Sequence, residues 1–181
     1  MSKALLIIDI QNDYFKNGAM ELKNPIPASL HAKKIVEKFR EASMPIVHIQ
    51  HLSKSAEASF FLPNTKGQEI HKNVKPLPDE KIIVKNYPNS FLETELLEYL
   101  QSLNITELVI TGMMTHVCID ATTRAAKDFG FKCTVINDAC ATRDVSFNES
   151  LVKAEDVHHA FLGALKMFYA NVISTNEFLS K

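Results

Sequence analysis

Short, β-branched apolar runs alternate with segments of helical period along the whole chain, and this alternation constrains the fold more than any other feature. Runs at 4–10, 45–50, 81–85, 108–112, 132–137 and 171–174 are apolar at successive positions, as strands buried on both faces must be. The segments between them carry helical stripes. Ala28, Ala32, Ile35, Val36 and Phe39 share one face, and Leu92, Leu96, Leu100 and Leu103 another. Ser90-Phe-Leu-Glu93 reads as a capping box in front of the second stripe. Val117, Ala121 and Ala125 form a small-residue face, and Val157, Phe161, Leu165 and Phe168 stripe the last helix. Strand–helix alternation predicts an α/β protein, a three-layer Rossmann-like sandwich around a six-stranded parallel β-sheet. A chain of 181 residues accommodates this as one domain, 1–181.

Composition excludes several classes. Hydrophobic residues make up 46% and charged residues 23%, ordinary soluble usage, and no apolar run approaches bilayer length. A net charge of −1 offers no electrostatic reason to expect nucleic acid or a membrane surface as partner. The N-terminus enters the first strand without a signal-peptide layout, so a cytoplasmic location is expected. The three cysteines, Cys118, Cys133 and Cys140, show no Cys-x-x-Cys spacing, which argues for free thiols in a reducing compartment. Cys133 and Cys140 lie in apolar surroundings and are read as small buried hydrophobes.

Two irregular connections stand out, 11–27 and 52–78. The second carries Phe60-Phe61, which would be costly to leave in water. It is expected to fold over the active crevice or a neighbouring subunit, and a homo-oligomer, dimer or tetramer, is expected.

Chemistry collects at the strand ends. The first strand runs into Asp9, the third into Lys85, and the fourth, through a bend, into Cys118 at the start of a helix. In an open parallel sheet the ligand crevice lies at the carboxyl ends of the strands, so these three side chains can meet. A thiol at a helix N-terminus faces unpaired N–H groups that favour the thiolate. An acid, a base and a thiol gathered there suggest nucleophilic catalysis.

Three stretches carry a resemblance: Leu6-Ile-Ile-Asp-Ile-Gln-Asn-Asp13; Val84-Lys85 followed by Ser90-Phe91 and Thr94; and Thr111-Gly-Met-Met-Thr-His-Val-Cys118. In this order they resemble the isochorismatase-like cysteine hydrolases, which include nicotinamidases, N-carbamoyl amidohydrolases and isochorismatases. The resemblance implies that Asp9, Lys85 and Cys118 are the catalytic triad and that Met113–Met114 is a cis peptide. It implies further that the backbone N–H groups of Met114 and Cys118 form the oxyanion hole. The function it implies is hydrolysis of a small-molecule amide or related C–N bond through a thioester.

The chain departs from the nicotinamidase pattern where those enzymes hold a metal. His48-Ile-Gln-His51-Leu-Ser53 places His51 where they carry an Asp and Ser53 where they carry a His. His48 and His51 point to opposite faces of an extended strand, and His71 lies far along the loop. No metal and no cofactor are expected. Phe15, His51, Phe91 and His116 are the expected substrate-binding walls, while His158-His159 shows no ligand spacing. Two alternatives stay open: an isochorismatase-type vinyl-ether hydrolase, and a catalytically silent relative that binds a metabolite.

Overall fold

The computed structural model describes residues 2–55 and 57–180. Six strands form one parallel sheet: β1 (Ser2–Ile8), β2 (Ile46–His51), β3 (Lys81–Lys85), β4 (Ile105–Met113), β5 (Lys132–Ala141) and β6 (Ala170–Ile173). Their spatial order is β3-β2-β1-β4-β5-β6, the doubly wound arrangement, with every neighbouring pair parallel. The reading of the strands as buried on both faces holds in the sheet centre, while on the edge strand β3 Ile82 and Val84 are exposed. Along β1, Ala4, Leu6 and Ile8 enter one core while Leu5 and Ile7 enter the other.

Helices cover both faces. The helix α1 (Pro25–Glu41) buries the expected stripe, Ala28, Ala32, Ile35, Val36 and Phe39, in the second core. Opposite lie α2 (Leu96–Ser102), α3 (Asp120–Asp128) and α4 (Ala154–Phe168), whose Leu96, Leu100, Ala126, Leu162 and Leu165 enter the first. The helix α5 (Thr175–Leu179) closes the chain behind a true capping box, Ser174 with Glu177. Among the described residues no helix is long and apolar enough to cross a membrane.

Local expectations fail where distant partners intervene. The box predicted at Ser90–Glu93 does not form, and α2 starts only at Leu96, leaving Leu92 exposed. Ser90 is taken instead by Thr122, through its backbone N–H (3.0 Å) and its hydroxyl (2.8 Å), and Glu93 has φ of 54°. The small-residue face of the third helix is rotated as well. A single π-type turn, Thr115–Ile119, inserts an extra residue ahead of α3, with the Ile119 N–H donating to the Met114 carbonyl at 3.2 Å. The buried face is therefore Cys118, Ile119, Thr122, Thr123 and Ala126, with Val117, Ala121 and Ala125 only half-buried. At the end of α4, Phe168 is 72% exposed, off the predicted stripe.

The strand β5 runs past the predicted end at 137, because Asn137-Asp138-Ala139 bulge between Val135, opposite Ile110, and Cys140, opposite Gly112. An antiparallel hairpin, β7 (Val145–Phe147) with β8 (Ser150–Val152), stands apart from the main sheet. Its turn residues Asn148 and Glu149 both have positive φ, 46° and 64°. Asn-Glu is not the Asn-Gly pair that announces such a turn, so the sequence alone gave no warning of it.

The two irregular connections are stitched together within one chain. Asn12 N–H donates to the Glu69 carbonyl (3.0 Å) and His71 N–H to Ile10 (2.8 Å). The Asp13 carboxylate accepts from Phe61 N–H (2.6 Å) and Ala19 N–H (3.1 Å). Phe61 is wholly buried against Tyr14, with ring centroids 4.6 Å apart. The loop thus lies over its own chain, and Phe61 no longer supplies a reason for a neighbouring subunit.

Candidate active site

Strand registry brings the charged strand ends together. Ile8 pairs with Gly112 and His51 with Lys85, so Asp9, His51, Lys85 and the turn leading to Cys118 share one end of the sheet. Gly112 is required there: its φ is +136°, and a Cβ would run into the Ile8 carbonyl. Asp9 itself sits in the left-handed region at φ 52°, turning its side chain out of the strand direction.

The three expected catalytic side chains meet in a buried cluster. Lys85 Nζ lies 2.7 Å from Asp9 Oδ2, with both side chains fully buried, and donates to Cys118 Sγ at 3.2 Å. The same ammonium reaches the carbonyls of Tyr87 (3.0 Å) and Pro88 (3.3 Å) and His51 Nδ1 (3.1 Å). Asp9 Oδ1 is buried without a hydrogen-bond partner among the described residues. A carboxylate oxygen of Asp9, a ring nitrogen of His51 and the Cys118 sulfur lie within 4.8 Å of one another.

Burial, reinforced by Asp9 and opposed by Lys85, pushes the Cys118 thiol well above its ordinary range. Those two influences, burial and Asp9, work against the thiolate that a helix end favours. For Lys85 burial works against the ammonium, but Asp9 and Cys118 outweigh it and raise its pKa. His51 is lowered by burial, with Asp9 opposing and Lys85 assisting, so it is neutral. An ammonium can only donate, so His51 Nδ1 accepts and the proton resides on Nε2.

The other expected site residues are scattered. Of the four expected walls, His51 pairs directly with Lys85. Phe15 stacks on His71, centroids 3.7 Å apart. Phe91 packs against Phe129 at 5.2 Å and Phe131 at 6.1 Å, in the core. His116 pairs with Thr142 and meets the Phe161 ring edge-on, towards β5 and α4. Tyr14 is buried against Phe61, and burial, then Cys118, Asp9 and Asp13, raise its hydroxyl pKa well above the usual value. Gln11 was also missed. Its buried amide donates to the His51 carbonyl (2.9 Å) and accepts from the His51 N–H (2.7 Å), extending the sheet by one artificial partner. Both sit in the polar run directly after Asp9, a signal visible in the sequence. Cys133 and Cys140 behave as buried hydrophobes, their thiols pushed up by burial to about 11 and about 12.

A nicotinamidase-type metal does not fit these residues. Ser53 spends its hydroxyl on the Phe60 carbonyl and its N–H on Phe61, and His71 is stacked on Phe15 with Nδ1 accepting from Asn73 N–H. His48 points the other way, to Glu80 at 2.9 Å. Two cavities, of about 600 and 550 Å³, are lined by neither Asp9, Lys85 nor Cys118. Cys118 itself is only 4% exposed, so its reaction partner must be small or must move the 52–78 loop.

Comparison with known proteins agrees with this architecture. The isochorismatase domain family model matches residues 3–177. An uncharacterized isochorismatase family protein of Bacillus subtilis (strain 168), YddQ, is 50% identical over 179 residues, 99% of either chain. Nicotinamidase 3 of Arabidopsis thaliana is 30% identical over 171 residues, covering 87% of this chain and 80% of that protein. A crystal structure from Oleispira antarctica, described as that of a candidate isochorismatase hydrolase, superposes with a TM-score of 0.96. It is 44% identical and covers 99% of this chain and 97% of its own. Sheet order, strand-end chemistry and near full-length similarity converge: the chain belongs to the isochorismatase family, and it is a hydrolase.

Proposed function

We propose that this protein is a cysteine-dependent hydrolase of a small-molecule amide or related C–N bond. The observation that carries the reading is the buried Lys85 ammonium, lying between the Asp9 carboxylate and the Cys118 sulfur. Relatives named nicotinamidase and ureidoacrylate amidohydrolase support the bond class. Cys118 keeps a nucleophile suited to acyl transfer.

In this mechanism Asp9 takes the thiol proton as Cys118 Sγ attacks the carbonyl carbon. Lys85 remains charged and offsets the negative charge that shifts between carboxylate and sulfur. The backbone N–H groups of Met114 and Cys118 hold the oxyanion. Asp9 then passes the proton to the departing nitrogen, and the thioester forms as the C–N bond breaks. Water, deprotonated by Asp9, attacks the thioester; the acid leaves and the thiol regains its proton. Because burial and Asp9 favour the thiol, this mechanism couples proton transfer to attack.

Turnover of nicotinamide, N-carbamoyl amines, ureido compounds, aryl amides and isochorismate is the test. Cys118→Ala should abolish turnover with the fold intact, and a slow amide substrate should leave an acyl mass on Cys118. Full turnover by Cys118→Ala would sink the assignment, and activity confined to isochorismate would transfer it to vinyl-ether chemistry. A homo-oligomer is part of the proposal, supported now by exposed Phe147, Leu151, Met167 and Phe168. Light scattering showing a monomer at high concentration would remove it. A cytoplasmic location is supported by the three free cysteines. Efficient secretion of the natural protein would refute it.

A further inference from the structure

The Lys85 ammonium has the surroundings of a metal ion. A carboxylate oxygen (2.7 Å), an imidazole nitrogen (3.1 Å) and a sulfur (3.2 Å) converge on it from β1, β2 and the nucleophile turn, with two peptide carbonyls behind. Those atoms number five, while an ammonium has three protons to give. We propose that Asp9, His51 and Cys118 form a latent three-ligand site for a borderline-soft divalent cation such as Zn²⁺ or Co²⁺, and that Lys85 keeps the enzyme metal-free by occupying it.

Charge and geometry both support the equivalence. In the native cluster the Lys85 and Asp9 charges cancel, with Cys118 counted as its thiol. A divalent ion in place of the ammonium would cancel against Asp9 and a Cys118 thiolate, so the net charge of the buried site is again zero. The balanced step is formation of one metal–sulfur bond with release of the single Cys118 thiol proton. Tetrahedral zinc with bonds of about 2.0–2.3 Å wants its ligand atoms roughly 3.3–3.8 Å apart. The three atoms here already lie within 4.8 Å of one another, so a modest inward shift completes the set. The His51 tautomer is also correct. Nδ1 already faces the ammonium as an acceptor, leaving Nε2 to carry the proton. A fourth position remains for water or for substrate. The ligand set differs from a nicotinamidase-type arrangement, because it recruits the nucleophile and its base instead of flanking them.

Co²⁺ titration of the full chain tests this without reference to activity. Lys85→Ala should bind one Co²⁺ per chain at least tenfold more tightly than the wild type, with a sulfur-to-cobalt charge-transfer band and a rise in Tm. The wild type should show neither. Adding Cys118→Ala to Lys85→Ala should erase the band, which separates this site from Cys133 and Cys140. Lys85→Ser, small and polar, serves as a second variant. If neither variant folds alone, refolding with and without Co²⁺ reads the same site, and recovery only with metal supports it. A band that survives loss of Cys118, equal binding by the wild type, or variants indifferent to Co²⁺ in both binding and folding would overturn the proposal. None of these outcomes depends on the amide reading, which turnover by Cys118→Ala tests separately.

Discussion

Replacing Lys85 by methionine keeps most of the side-chain length and removes its charge and its protons. The partner carboxylate, 2.7 Å away and fully buried, is then left without a counter-charge. At that separation and an effective dielectric of about 20 the gross attraction is roughly 6 kcal/mol, much of it offset by desolvation of the two ions. Removing one member should therefore cost about 3–5 kcal/mol, because the survivor stays buried and unpaired. Asp9→Asn is the matching change from the other side. Asparagine tolerates the left-handed backbone at φ 52° better than most residues, so its cost reports the lost charge and not strain. The double variant Asp9→Asn with Lys85→Met buries no ion and should lie within about 2 kcal/mol of wild type. The cycle thus predicts a coupling of about 3 kcal/mol or more between sites in direct contact. Urea unfolding followed by far-ultraviolet circular dichroism measures it, since the chain has no tryptophan to report by fluorescence. Additive losses, with the double variant as unstable as the sum of the singles, would refute the reasoning.

Alkylation of Cys118 by iodoacetamide should show no midpoint near the free-thiol value of about 8.5 but rise only at far higher pH, since burial and Asp9 hold the proton; a midpoint at or below 8.5 by mass spectrometry would contradict this. Asp13→Ala removes the acceptor of the Phe61 and Ala19 N–H groups, so hydrogen exchange across 57–65 should quicken, with a stability loss of about 1–3 kcal/mol. Unchanged exchange there would mean the carboxylate does not hold the loop. Gly112→Ala should destabilise by more than about 1 kcal/mol, from a left-handed φ and a collision with the Ile8 carbonyl, read as a lowered urea midpoint. Glu80 is held at about 2, against the effect of burial, by Arg40, the Leu77 N–H and His48. A depressed carboxyl stabilises above its unfolded value and loses that contribution as pH falls. The stability gap between wild type and Glu80→Gln should therefore be widest near pH 7 and shrink from 4.5 toward 2. A gap that widens on acidification would be the opposite sign.

What could be read without coordinates was whatever depends on neighbours in the chain. The continuous apolar runs and the helical patterns between them give the parallel sheet, because a strand buried on both faces must be apolar at successive positions, as Leu5 to Ile8 are. The strand ends then fix where Asp9, Lys85 and Cys118 emerge, since a doubly wound sheet gathers its carboxyl ends at one edge. His51 against His48 follows from the same alternation: one reaches Lys85 and the other Glu80. Tertiary structure decided everything governed by groups far apart in sequence. Ser90 had a good capping pattern but a better partner in Thr122, and its carbonyl, the first that a helix starting there would use, accepts from the Thr94 hydroxyl at 2.6 Å. Phe15 and Tyr14 are indistinguishable as adjacent aromatics in a loop, and only distant partners separate them, Phe61 against Tyr14 and His71 against Phe15. The state of the Cys118 proton belongs to this second class too. A helix N-terminus is a local feature that favours the thiolate, whereas desolvation and the already satisfied Asp9–Lys85 pair exist only once the chain has closed around them, and in that closed interior they prevail.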